Sequence, residues 1–160
     1  MKKGIMTAML SVAVLSAGAQ TFNEWKDPGV NEVNRYPMHS NYFAYESSEG
    51  AAAGEKEVSA NYMTLNGTWK FDFVKSPDLR PTDFYKVGYD DKAWDDFKVP
   101  AVWELNGYGD PVYVNNHWVW RNQFENNPPF VPTENNHVGS YRREIVVPAS
   151  WSGKQIIAHF

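Results

Sequence analysis

The chain has no cysteine in its 160 residues. Disulfides, catalytic thiols and thiolate metal sites are therefore all excluded, and the fold must hold by core burial. Clustered positive charge is also lacking: 15 Lys and Arg stand against 19 Asp and Glu, and no basic cluster exceeds Arg142 and Arg143. Nucleic acid is a poor partner for such a surface. There is no apolar run of about 20 residues, the length a membrane helix needs. The longest, Ile5 to Leu15, follows Lys2 and Lys3 and precedes Ala17, Gly18 and Ala19. That order reads as a secretory signal over 1–19, so the product is expected to be exported to the periplasm. Cleavage after Ala19 would leave thirteen basic residues against nineteen acidic ones, a formal charge of −6. No cysteine follows to carry a lipid. Internal repeats are lacking too.

Aromatic residues and turn formers are abundant. Seven Trp, nine Tyr and nine Phe rule out a disordered polar segment, and ten Pro and eleven Gly between short apolar runs favour strands joined by turns over a helical bundle. After the signal, residues 21–45 show neither helical nor alternating periodicity and read as an extended arm. Residues 46–59, with only Val58 bulky and apolar, read as a mobile surface loop. At Asn66 and Gly67 a turn signal precedes Trp69, Phe71 and Phe73, which alternate with Lys70, Asp72 and Val74 at the period of a half-buried strand. Further strands are expected from Phe97 to Val102, with Pro100 marking a bulge or edge, from Tyr141 to Val147, and from Gln155 to Phe160. The last has no strand after it to pair with. Four or five strands are few for two packed sheets, which predicts an incomplete β-sandwich over 61–160 behind an arm and loop over 20–60.

Polar and aromatic residues concentrate between Tyr108 and Asn127, among them Tyr113, Asn115, Asn116, His117, Trp118 and Trp120. Amides offer donor and acceptor to vicinal hydroxyls, and aromatic faces cover the C–H side of a pyranose ring. Core tryptophans with asparagines bonding their own loop would give the same composition. His117 reads as structural, since a lone His in a polar loop rarely acts in chemistry. Pro128, Pro129 and Pro132 fix a stiff ridge between Asn127 and Asn135 that leads toward the strand near Tyr141. The nineteen acidic residues include no recognisable pair of the kind a retaining glycosidase uses, two carboxyls about 5–5.5 Å apart. Asn66, Gly67 and Thr68 match a glycosylation acceptor, but a turn into the strand accounts for them.

The segment Asn127 to Asn135, with Asp110 to Asn115 and Leu65 to Trp69, resembles the amino-terminal sugar-binding domain of glycoside hydrolase family 2 β-galactosidases over residues 23–160. The resemblance implies an all-β fold, a partial jelly-roll or galactose-binding-like β-sandwich preceded by an extended N-terminal arm. It implies that Asn115 contacts the galactoside, orienting it by hydrogen bonds, because an amide cannot serve as acid or base at neutral pH. It implies that Glu24, Asp27 and the carbonyl of Val30 help to hold Mg²⁺, Asp27 standing where Asn is the more familiar residue. A solvated acidic turn is the other reading of that stretch. No position matches the family's catalytic glutamates, which lie on a later barrel, so no catalytic residue is assigned. The expectation is the amino-terminal portion of an exported β-galactosidase, a retaining hydrolase of terminal β-D-galactose, with this portion inactive alone. Its partners would be a β-galactoside, the rest of the enzyme and further copies in a homo-oligomer, and not nucleic acid or membrane. A free-standing carbohydrate-binding module is the alternative.

Overall fold

In a computed structural model, residues 24–33, 35–111 and 131–160 are described. The signal reading over 1–19, and Asn115, His117, Trp118, Trp120, Pro128 and Pro129, fall outside them. The chain divides into two units, residues 1–38 and 39–160.

In the first unit, Glu24–Lys26 form one 3-10 turn. The backbone then folds back, with Asp27 N–H donating to the Glu24 carbonyl at 3.1 Å and Val30 N–H to the Asp27 carbonyl at 3.0 Å.

The second unit is organised by β1 (Gly67–Val74), the central strand of an antiparallel sheet. It pairs on one side with β2 (Asp95–Val99) and on the other with β3 (Val138–Arg142), in the order β2-β1-β3. The register sets Trp69 opposite Phe97, Lys70 opposite Asp96, Phe71 opposite Tyr141 and Phe73 opposite Gly139. Period-2 alternation therefore collects Trp69, Phe71, Phe73, Phe97 and Tyr141 on one face and Lys70, Asp72, Asp96, Ser140 and Arg142 on the other. On the aromatic face Phe71 and Phe97 are buried, with ring centroids 4.6 Å apart. Each stabilises the fold by roughly 1.5–3 kcal/mol. Trp103 and Tyr108 close over them from the segment after β2, Tyr108 standing edge-on to Phe71 at 4.8 Å. The Trp103 indole N–H donates to the Tyr141 hydroxyl. On the polar face Lys70 pairs with Asp96 at 2.8 Å.

The strands form one sheet with little helix, so the all-β class holds, and this sheet supplies one layer of the expected sandwich. Several sequence expectations shift in detail. No strand precedes Asn66 and Gly67 among the described residues, so they do not form a hairpin turn; Gly67 instead opens β1 at a φ of 130°. β2 ends at Val99, and Pro100 follows it through a cis peptide bond rather than interrupting a longer strand. β3 lies three residues before the expected start and stops at Arg142. There the Arg143 guanidinium turns to the Leu65 and Asn66 carbonyls, at 2.6 and 2.8 Å, across the point where the ladder would continue. Residues 155–160 form no strand, in contrast to the expectation for this stretch. Ser48–Ala53 form helix α1 where the sequence suggests a loop. Ser47 caps it by accepting from Gly50 N–H, three alanines propagate it, and Gly54 ends it in the left-handed region at a φ of 74°.

Candidate functional site

Tyr108 and Gly109, at the start of the Asn- and Trp-rich stretch, and His137, beyond its end, all pack against the sheet's aromatic face. Tyr108 is held by its hydroxyl, which donates to Asp95 Oδ2 at 2.7 Å. That bond, with burial secondary, raises the phenol pKa and keeps the hydroxyl a donor. The His137 ring meets Phe73 at 5.1 Å. Gly109, at a φ of 74°, faces the same imidazole so closely that a Cβ there would stand 3.2 Å from Nδ1. The two ends of the stretch thus sit against one buried cluster. On the returning side Asn135 adopts a φ of 52°, a left-handed value that Asn tolerates, and Asn136 Nδ2 donates to the Pro132 carbonyl at 3.0 Å.

The acidic turn can be tested for an ion. Glu24 and Asp27 supply carboxylates and Val30 a carbonyl from one tight fold of backbone, and oxygen donors suit a hard cation. One Asp27 oxygen already accepts from Gly29 N–H at 2.8 Å. Among the described residues no group of three or more His, Cys, Asp or Glu side chains gathers to hold a metal. The turn therefore fits Mg²⁺ in kind but supplies at most three of about six ligands.

An open groove of about 380 Å³ lies beside β3, its lining including Leu65, Trp69, Phe84, Tyr141, Ile145 and Phe160. Arg142 is about four-fifths covered, bonded to Asp91 at 2.5 Å and lying over the Tyr89 ring at 5.6 Å. Only Asp90 and Asp91 as neighbours in sequence hinted at such a partner, and a separation of 51 residues hides it from local pattern.

Glu46 and Glu49 both have depressed pKa values. The Ser59 hydroxyl is the largest cause for Glu46, and backbone N–H bonding at its own residue for Glu49. A general acid requires the opposite displacement. Neither is a candidate for proton donation.

A three-stranded antiparallel sheet with one aromatic face and little helix defines an all-β domain. Comparison with known proteins makes this specific. Residues 62–160 match glycosyl hydrolases family 2, sugar binding domain, and the chain belongs to that family. It is 39% identical over 135 residues to a beta-galactosidase of Halalkalibacterium halodurans, covering 84% of this chain and 13% of that protein. It is 32% identical to a beta-galactosidase of Priestia megaterium over 91% of this chain and 14% of the other. The beta-galactosidase large subunit of Leuconostoc lactis is likewise 32% identical, with 23% of its length covered. The chain thus spans about one seventh of the length of the first two relatives.

Proposed function

We propose that this chain is the amino-terminal, sugar-binding portion of an exported, retaining β-galactosidase and hydrolyses no galactoside by itself. The observation that carries this reading is the family match over 62–160 combined with identity to β-galactosidases of which the chain spans only about one seventh. Asn115 is assigned to the bound galactose as an orienting ligand. The support is its place in the Asp110 to Asn115 motif, between the anchored ends at Tyr108 and His137. Glu24, Asp27 and the Val30 carbonyl are assigned part of a Mg²⁺ shell that other residues complete.

A hybrid provides the test, with this chain replacing the matched stretch of the Halalkalibacterium halodurans enzyme. The isolated chain is expected to leave a chromogenic β-galactoside intact, and the hybrid to cleave it. Asn115→Ala in the hybrid should raise KM about 10- to 100-fold, the effect of losing a hydrogen bond of 1–3 kcal/mol to the ligand. Glu24→Ala with Asp27→Ala should raise the Mg²⁺ concentration needed for half-maximal activity. Turnover by the isolated chain would refute the assignment of a non-catalytic portion. An unchanged KM would remove Asn115 from the site. Galactose binding by the isolated chain without any activity in the hybrid would favour an independent carbohydrate-binding module.

A further inference from the structure

We propose that Asn106 is a modification site, cyclising onto the Gly107 nitrogen and hydrolysing to aspartate and isoaspartate, and that the isoaspartyl product loosens the aromatic cover of the sheet. The pair Asn-Gly occurs twice in the chain, at Asn66 and at Asn106. In this chemistry the glycine backbone nitrogen attacks Cγ of the asparagine. A C–N bond forms, the Cγ–Nδ2 bond breaks, and the amide leaves as ammonia after taking up the proton that the attacking nitrogen gives up. Water then opens the cyclic imide at either carbonyl. One opening leaves an aspartate side chain, and the other routes the main chain through Cβ and Cγ and frees the α-carboxylate. The net change is water in and ammonia out, so no oxidant or reductant is needed. Glycine favours the attack because no Cβ shields its nitrogen.

The fold separates the two sites. Gly67 pairs with Val99 in the sheet, and the Asn66 carbonyl accepts from the Arg143 guanidinium at 2.8 Å. Turning the Asn66–Gly67 peptide toward attack would disturb both. Asn106 and Gly107 are exposed and lie outside the sheet. Asn106 ends the 3-10 turn Glu104–Asn106, and Gly107 follows in the left-handed region at a φ of 87°. Such turns have poor hydrogen-bond geometry and fray at their ends. The Asn106 side chain is held by Nδ2 donating to the Val102 carbonyl at 2.8 Å, an exposed bond that water readily replaces.

The consequence follows from the neighbours on either side. The Trp103 carbonyl accepts from Asn106 N–H at 2.8 Å and from Tyr108 N–H at 3.1 Å. The rings of Trp103 and Tyr108 cover Phe71, with centroids at 6.0 and 4.8 Å. An isoaspartyl link lengthens the backbone between those two rings by one methylene, so the bond from Tyr108 to Trp103 no longer closes. Either product also replaces the donor to Val102 by a carboxylate facing a carbonyl, which repels it.

The test ages the 160-residue chain in mildly alkaline buffer, with a parallel sample unfolded in urea. Peptides from each are resolved by mass spectrometry, and isoaspartate is counted with an isoaspartate-specific carboxyl methyltransferase and a labelled methyl donor. In urea the two sites should convert at similar rates. In the native chain Asn106 should convert about tenfold faster than Asn66 or more, because attack at Asn66 waits for the strand to open. The aged chain should lose near-UV circular dichroism from its aromatic residues and melt at a lower temperature than the fresh chain. Asn106→Gln, aged alongside, should keep both signals. Should that variant fail to fold, the unaltered chain, fresh against aged, decides by itself. Equal native rates at the two sites, no conversion at Asn106, or a converted chain with the spectrum and Tm of the fresh one would overturn the proposal.

Discussion

Gly139→Ala tests whether the aromatic face is packed as closely as the register requires. Gly139 sits in β3 opposite Phe73. A Cβ added there would stand 2.5 Å from Trp103 Cζ2 and 2.6 Å from Phe71 Cε2. Reaching an ordinary separation of 3.4 Å requires about 0.9 Å more room from Trp103 and about 0.8 Å more from Phe71. Phe71 is 1% exposed and has no space to retreat into. Trp103 is tied by its indole N–H to the Tyr141 hydroxyl, so moving it strains a hydrogen bond worth about 1 kcal/mol. Overpacking of this sort costs about 1–3 kcal/mol. For a folded unit of about 100 residues, each kcal/mol lowers Tm by roughly 4–8 °C. The assay is thermal unfolding followed by near-UV circular dichroism, which reports the aromatic environment directly. Gly50→Ala is the control: its Cβ meets only ordinary contacts at 3.6 Å and beyond inside α1, where Ala is the better helix former. It should leave Tm unchanged or raise it. Trp103→Leu should relieve part of the Gly139→Ala penalty, giving a non-additive pair. A Gly139→Ala protein that melts within a degree of the parent would refute the packing argument.

Two other perturbations follow from the ionic contacts. Arg142→Met leaves Asp91 without its counter-ion at a site about a quarter exposed, and should cost about 1–2 kcal/mol, seen as a lower urea midpoint. If Asp91→Asn alone and together with Arg142→Met give additive losses, the two groups do not interact as described. Glu46 accepts from the Ser59 hydroxyl at 2.8 Å and the Asn61 N–H at 3.1 Å, which holds its pKa below the ordinary 4.5. Because the folded pKa is the lower one, the stabilisation is complete above 4.5 and is lost as pH falls through the folded value. Glu46→Gln should therefore flatten the fall of Tm below pH 4.5, and an unaltered acid limb would contradict the assignment.

Much of the sheet was legible because strand periodicity is local. Trp69, Phe71 and Phe73 announce β1 without reference to any partner, and the observed strand matches with two residues added at its start. Edges were less legible. Where β3 begins and ends depends on the extent of β1 and on Arg143 reaching carbonyls 77 and 78 residues earlier in the chain, and no local pattern encodes that. Helix α1 was hidden because Ala and Gly in a short polar run resemble a loop, although Ser47 and Gly54 carried the capping signals. The site divides in the same way. The roles proposed for Asn115 and for Glu24, Asp27 and Val30 come from the sequence alone, through motifs that resemble those of the family. Tertiary structure decided that Tyr108 and His137 pack against the same aromatic cluster and that Arg142 has Asp91 as its counter-ion. Each of these depends on distances between segments far apart in sequence, which only the folded backbone sets.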